Sequence, residues 1–136
     1  MSRDKLTTLG FRPALTMHWV DRPGTFKLTP ANGDVEILKT RSVVYVWYDR
    51  HNDVVMNVGL TSQSLKARFI YKSGYEHWLN GSLANSPIRR RWLEYIATSR
   101  SGLIEIHIRP CDPCALGQEE SRLMDALDPR LNVRRH

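Results

Sequence analysis

The sequence predicts an α+β fold: a small three-stranded antiparallel sheet with helices packed on it, in the order β-β-α-α-β-α from residue 43. An N-terminal extension with one further hairpin precedes this core. Three observations carry the prediction. Residues 43–48 and 54–59 are two runs of mainly β-branched and aromatic residues, split by a short polar turn. After Ser62 the apolar spacing changes from two residues to about 3.6. Residues 103–108 then return to strict alternation, with Ile104, Ile106 and Ile108 on one face and Glu105 and His107 on the other.

The elements follow in order. Residues 1–24 read as irregular because Gly10, Pro13, Pro23 and Gly24 punctuate them. Residues 25–28 and 35–38 are short alternating runs around Asn32-Gly33, the pattern of a hairpin at 25–38. The hairpin of 43–48 and 54–59 is closed by the polar residues 49–53. Residues 62–72 read as a helix, with Leu65 and Phe69 on one stripe and Arg68 and Lys72 on a neighbouring flank. Residues 73–85 contain Gly74 and Gly81 and read as a loop. Ser86-Pro87 supplies an N-cap and an N1 proline for a helix to about Thr98, with Ile88, Trp92, Tyr95 and Ile96 as its apolar stripe. The last helix runs from about Ala115 to Leu127 and stops at Asp128-Pro129. Two parts result: an extension, 1–42, and a core domain, 43–136.

Composition narrows the function classes. The chain has 136 residues with 41% hydrophobic and 25% charged side chains, which suits one folded domain and excludes wholesale disorder. Its apolar runs are too short to span a bilayer, and its first residues lack the apolar stretch of a secretory signal. Two cysteines cannot make a disulfide framework, so a reducing, cytoplasmic setting is expected. Cys111 and Cys114 form a single C-x-x-C, two ligands where a structural zinc needs four. The formal charge is +6, and fifteen of the twenty basic residues are arginine, the side chain that forks onto phosphate. Ten basic and five acidic residues fall between 41 and 110, so the excess sits on the core elements.

Arg89, Arg90 and Arg91 lie near the start of a helix, with one residue between them and its proline, Pro87. Cations in a first turn oppose the helix dipole by about 0.3–1 kcal/mol each, so helix stability does not explain them. A phosphate-gripping turn does, and a solvated charged face is the alternative. With Lys66 they form the expected nucleic-acid-binding set.

Val43-Val44-Tyr45 on one strand, Asn57-Val58-Gly59 on the next, Arg68 on the following helix and Glu120 on a later one make an ordered set. Glu120 is followed by Leu123-Met124, Leu127, Pro129 and Asn132. Across residues 43–132 this set resembles the GIY-YIG nuclease family, whose core is such a hairpin followed by an arginine and a metal-binding glutamate. The resemblance implies an endonuclease that hydrolyses DNA phosphodiester bonds (RNA not excluded) with Mg²⁺ or Mn²⁺. Glu120 would hold the metal and Arg68, with Lys72 one turn on, would neutralise charge on the phosphate. Tyr45 would accept a proton from the attacking water, which requires nearby cations to favour its phenolate. Asn132 would position groups around the metal or the DNA. The chain departs from the family pattern at Val43, where the family has glycine, at Asn57, where it has tyrosine, and at Lys72. Asn57 cannot titrate, and Tyr71 or His77 is the candidate for the missing ring. A nucleic-acid-binding module on the same fold, its chemistry weakened or lost, is the alternative function.

Overall fold

A computed structural model describes residues 2–20, 25–71, 74–80 and 86–131. Helix α1 (Ser2–Thr8) leads into β1 (Arg12–Trp19) and β2 (Phe26–Pro30), followed by 3₁₀ turns at Ala31–Gly33 and Val35–Lys39. Strands β3 (Arg41–Asp49) and β4 (Val54–Ser64) come next, then one π-helical turn, Lys66–Ile70. Helices α2 (Tyr75–Asn80) and α3 (Pro87–Ile96), strand β5 (Ile104–Pro110), a 3₁₀ turn at Pro113–Ala115 and helix α4 (Leu116–Leu127) complete the elements of the described residues. The strands form one antiparallel sheet in the order β2-β1-β5-β3-β4. Among the described residues no helix is long and apolar enough to cross a membrane.

The α+β class stands, but the sheet has five strands rather than three. The two extra strands come from residues 12–30. There the expected hairpin at 25–38 is replaced by a different one, in which β2 pairs with β1 and not with residues 35–38. A register shift between Pro13 and Leu15 breaks the alternation of β1, so Ala14, Leu15 and Met17 are all buried while the spacing looks irregular. Residues 35–39 instead wind into a 3₁₀ turn, capped by the Asp34 side chain accepting from the Glu36 N–H. Strand β4 is also longer than expected: it continues to Ser64 and leaves only one turn where a helix over 62–72 was predicted.

Two layers of core follow from the pleat. On one face Val43, Tyr45, Trp47, Met56, Ile104, Ile106 and Ile108 pack under Leu65, Phe69, Leu79, Trp92 and Ile96. On the other, Val44, Val46, Tyr48 and Val58 pack under α1 and α4 through Leu6, Leu116 and Leu123. The predicted alternation of β5 is present: its isoleucines join the first core, and Glu105 and His107 point to the opposite face. The predicted cap of α3 is present too, with Ser86 Oγ accepting from Arg89 N–H.

On that opposite face Glu105 is nearly buried and gathers cations. His107 Nε2 lies 3.0 Å from its carboxylate, Arg50 3.6 Å and Arg3, on α1, 3.8 Å. An ionised carboxylate only accepts, so the His107 Nε2 carries a proton in this pair. The hydrogen bond from His107 holds the Glu105 carboxyl below its ordinary value; burial opposes it, and Arg3 and Arg50 add to the lowering. A depressed folded pKa contributes stability that is complete above the unfolded value and lost as pH falls through the folded one. Urea unfolding midpoints should therefore drop between about pH 5 and pH 3, and Glu105→Gln should make that drop shallower.

The first forty residues also brace the core. Strand β1 covers β5, and the side chains of Glu76 and Asn80 on α2 pair with the free edge of β2. A fragment starting at residue 41 should lack a cooperative thermal transition by circular dichroism, whereas the full chain shows one.

Candidate active site

Strands β3 and β4 place the central groups. In their register Tyr45 lies opposite Gly59 and Trp47 opposite Asn57, so these side chains share one face of the sheet. Gly59 is required by the tyrosine. A Cβ at residue 59 would lie 2.4 Å from Tyr45 Cζ and Oη, so the phenol can cross the β4 backbone only where no side chain stands. Strand β4 is a sheet edge, and the Tyr45 hydroxyl is thereby carried toward open space at that edge.

The turn after β4 supplies the cation. Leu65 and Phe69 are fully buried and anchor it, and Tyr71 N–H closes an i→i+5 bond to the Lys66 carbonyl. Arg68 is thereby turned onto the phenol: its Nε and Nη2 donate to Tyr45 Oη at 3.2 and 3.1 Å. Gly74 then lets the chain double back, since a Cβ there would meet the Arg68 carbonyl at 2.7 Å.

That reversal leads into α2, within the stretch 73–85 expected to be a loop. The apolar spacing of Tyr75, Trp78 and Leu79 was its only local signal. The helix is short but tied down. Asn80 exchanges hydrogen bonds with both the N–H and the carbonyl of Phe26 at 2.7 Å, and Glu76 accepts from Leu28 N–H at 2.8 Å. Arg89 donates to the carbonyls of Trp78 and Leu79 at 2.9 and 3.0 Å, capping the helix end.

Through α2 a residue outside the expected set joins the site. Tyr75 stacks on Phe69 with ring centroids 5.2 Å apart and touches Trp47, Trp78 and Trp92 as well. Its hydroxyl lies 2.9 Å from Tyr45 Oη, and Asn57 Nδ2 donates to it over 3.4 Å. The Arg68 guanidinium sits 4.9 Å from the Tyr75 ring centroid. Of the two candidates for the ring absent at residue 57, Tyr71 is exposed beneath Lys66 and His77 has no described side chain.

These residues line one groove of about 770 Å³ along the β4 edge. Its lining brings together Tyr45, Asn57, Gly59, Arg68 and Tyr75, Ile88 and Trp92 of α3, and Glu120 and Asp125 of α4. Adjacent Glu119 is engaged elsewhere: Arg109 and Arg122 each reach it at 2.8 Å. Half-buried Glu120 makes no hydrogen bond or ion pair among the described residues, so its carboxylate is presented to the groove.

Burial decides the charge of the phenol. Tyr45 is 1% exposed, and burial pushes it well above the ordinary phenol value. Tyr75 pushes in the same direction, and Arg68 pulls the other way without prevailing. Burial also works against charge on Arg68, but the two phenol oxygens outweigh it and hold the guanidinium above its ordinary value. Both balances favour a neutral phenol beside a charged guanidinium.

The remaining expected residues divide. Lys66 is exposed, 5.3 Å from the Tyr71 ring centroid. Arg89 is spent on the end of α2. At ~100° per residue Arg90 points away from the groove-lining Ile88 and Trp92, and Arg91 is exposed beside them. Lys72 and Asn132 lie outside the described residues. Among the described residues no cluster of three or more His, Cys, Asp or Glu side chains is disposed to cage a metal. The fold and groove define an α+β protein with a phenol–guanidinium pair and the carboxylate residues Glu120 and Asp125 on one cleft. No family model matches the chain, and neither a curated protein nor a solved structure matches it.

Gly59→Ala should expel the Tyr45 hydroxyl from its contact with Arg68. Equilibrium urea unfolding should show a loss of about 1–3 kcal/mol, the usual cost of overpacking a filled core.

Proposed function

We propose that this chain is a divalent-metal-dependent endonuclease of the GIY-YIG type, hydrolysing DNA phosphodiester bonds in the groove along β4. One observation carries the reading: Tyr45, Asn57, Arg68 and Glu120, from four separate segments, line a single cleft. The cleft lies at an edge strand of the sheet, β4, where an extended polyanion could be received. Arg68 is the cation built into it, held by two hydrogen bonds to Tyr45 and unable to deprotonate, and so suited to a phosphate oxygen gaining charge.

The carboxylate fits the implied cation. Mg²⁺ keeps several of its waters and takes one or two carboxylates, so it needs no cage of protein ligands. Glu120 offers one such ligand on the groove wall. Bound there, Mg²⁺ or Mn²⁺ would supply a Lewis acid for the phosphate. The other work belongs to the chain. Arg68 binds and orients the phosphate, Tyr45 holds Arg68 in place, and the aromatic wall of Tyr75, Trp78 and Trp92 keeps one side of the cleft apolar. Arg91 and Lys66 add exposed positive charge outside it.

Plasmid nicking tests the reading. The protein should cut with Mg²⁺ and not in EDTA, and Glu120→Gln should lower single-turnover cleavage at least ~100-fold while changing DNA affinity less than about threefold. Arg68→Ala should weaken both cleavage and binding. Full cleavage by the Glu120 variant would remove that residue from the metal site. Salt-sensitive DNA binding with no cutting in either condition would support a binding module instead.

A further inference from the structure

The hydrogen bonds around Tyr45 can be ordered by counting donors and acceptors. A phenol oxygen has two acceptor sites and one proton, and a guanidinium only donates. Arg68 Nε–H and Nη2–H take both acceptor sites of Tyr45 Oη. The Tyr45 proton must therefore be donated, and its hydrogen-bond partner is Tyr75 Oη at 2.9 Å. Tyr75 Oη then accepts from Tyr45 and, over 3.4 Å, from Asn57 Nδ2–H, with the Arg68 guanidinium also within its reach. Its acceptor sites are filled and its own proton is left over. Among the described residues no acceptor receives that proton. Tyr75 is half-buried and lines the groove, whereas Tyr45 is 1% exposed.

The donors thus point one way, from Arg68, directly and through Tyr45, to Tyr75 and out into the cleft. We propose that Tyr75 is the phenol that contacts the substrate, donating its hydroxyl hydrogen to an anionic phosphoryl oxygen, with Tyr45 and Asn57 as positioning residues that set its polarity. That the phosphoryl group belongs to a DNA diester rests on the nuclease reading; the donor polarity does not. The arrangement also accounts for Asn57. An amide N–H directed at Tyr75 keeps the hydroxyl facing outward, whereas a carboxylate at the same place would turn it inward. The Arg68 guanidinium over the Tyr75 ring adds positive potential where the phosphoryl oxygen would sit.

Four variants test this: Tyr75→Phe, Asn57→Asp, Tyr45→Phe and, as a control outside the groove, Tyr71→Phe. Two readouts are used on the full-length protein. One is inorganic phosphate titration followed by tryptophan fluorescence, since Trp78 and Trp92 lie 6.0 and 5.8 Å from the Tyr75 ring. The other is single-turnover plasmid cleavage with Mg²⁺. Tyr75→Phe should weaken phosphate binding and slow cleavage about ten- to hundredfold, the scale of a hydrogen bond to a charged group. Asn57→Asp should do the same although the Tyr75 hydroxyl is still present, which loss of packing would not produce. Tyr45→Phe should cost less than Tyr75→Phe, and Tyr71→Phe should change neither readout. Phosphate binding that depends on Tyr75 without cleavage by the wild type would keep this assignment and discard the endonuclease. A larger loss in Tyr45→Phe than in Tyr75→Phe, or no dependence of either readout on Tyr75, would overturn it.

Discussion

The site depends on one close approach, the Tyr45 phenol lying across the backbone of Gly59. Two adjacent antiparallel strands leave room for a ring to cross only where the facing residue has no Cβ, and the β3–β4 register puts the glycine there. The crossing carries a buried core residue to the sheet edge, where its hydroxyl becomes the acceptor for Arg68. With that anchor the guanidinium can lie over the aromatic cluster. It is partly desolvated yet remains charged, because two phenol oxygens compensate for lost water.

The second support comes from the start of the chain. A sheet edge exposes unpaired backbone groups, and β2 solves this with side chains rather than another strand: Glu76 and Asn80 satisfy Phe26 and Leu28. The same contacts hold α2 in place, and α2 presents Tyr75. So residues 26–28, distant in sequence from every site residue, set the position of one phenol. Arg89 completes the clamp from α3, which gives that arginine a structural use distinct from phosphate binding.

The two faces of the sheet treat their polar groups differently. Glu105 and His107, on the face under α1 and α4, are paired with each other and with Arg3 and Arg50, a closed network that ties the N-terminal helix to β5. In the groove, by contrast, the Glu120 carboxylate and the Tyr75 hydroxyl face open space. Groups whose hydrogen-bonding capacity is not spent internally can meet a ligand, and these share a cleft with Arg68.

Much of this was legible in the residues alone. Alternation and β-branched composition specified the β3–β4 hairpin and β5, and Ser86-Pro87 specified the start of α3, because each rests on local backbone and pleat geometry. Tyr45, Arg68 and Glu120 stood out through their order along those elements. The first sheet strand, the true partner of β2 and the helix bearing Tyr75 did not. The bulge near Pro13 hides the period of β1, and the six residues of α2 are held as a helix by tertiary bonds, its Glu76 and Asn80 side chains to β2 and Arg89 to its last carbonyls. Residue identity likewise marked Tyr45 as a titratable group, but its charge state is a property of the folded site. Burial from all sides outweighs a single arginine, and which phenol faces the cleft is decided by hydrogen bonds between residues that only the fold brings together.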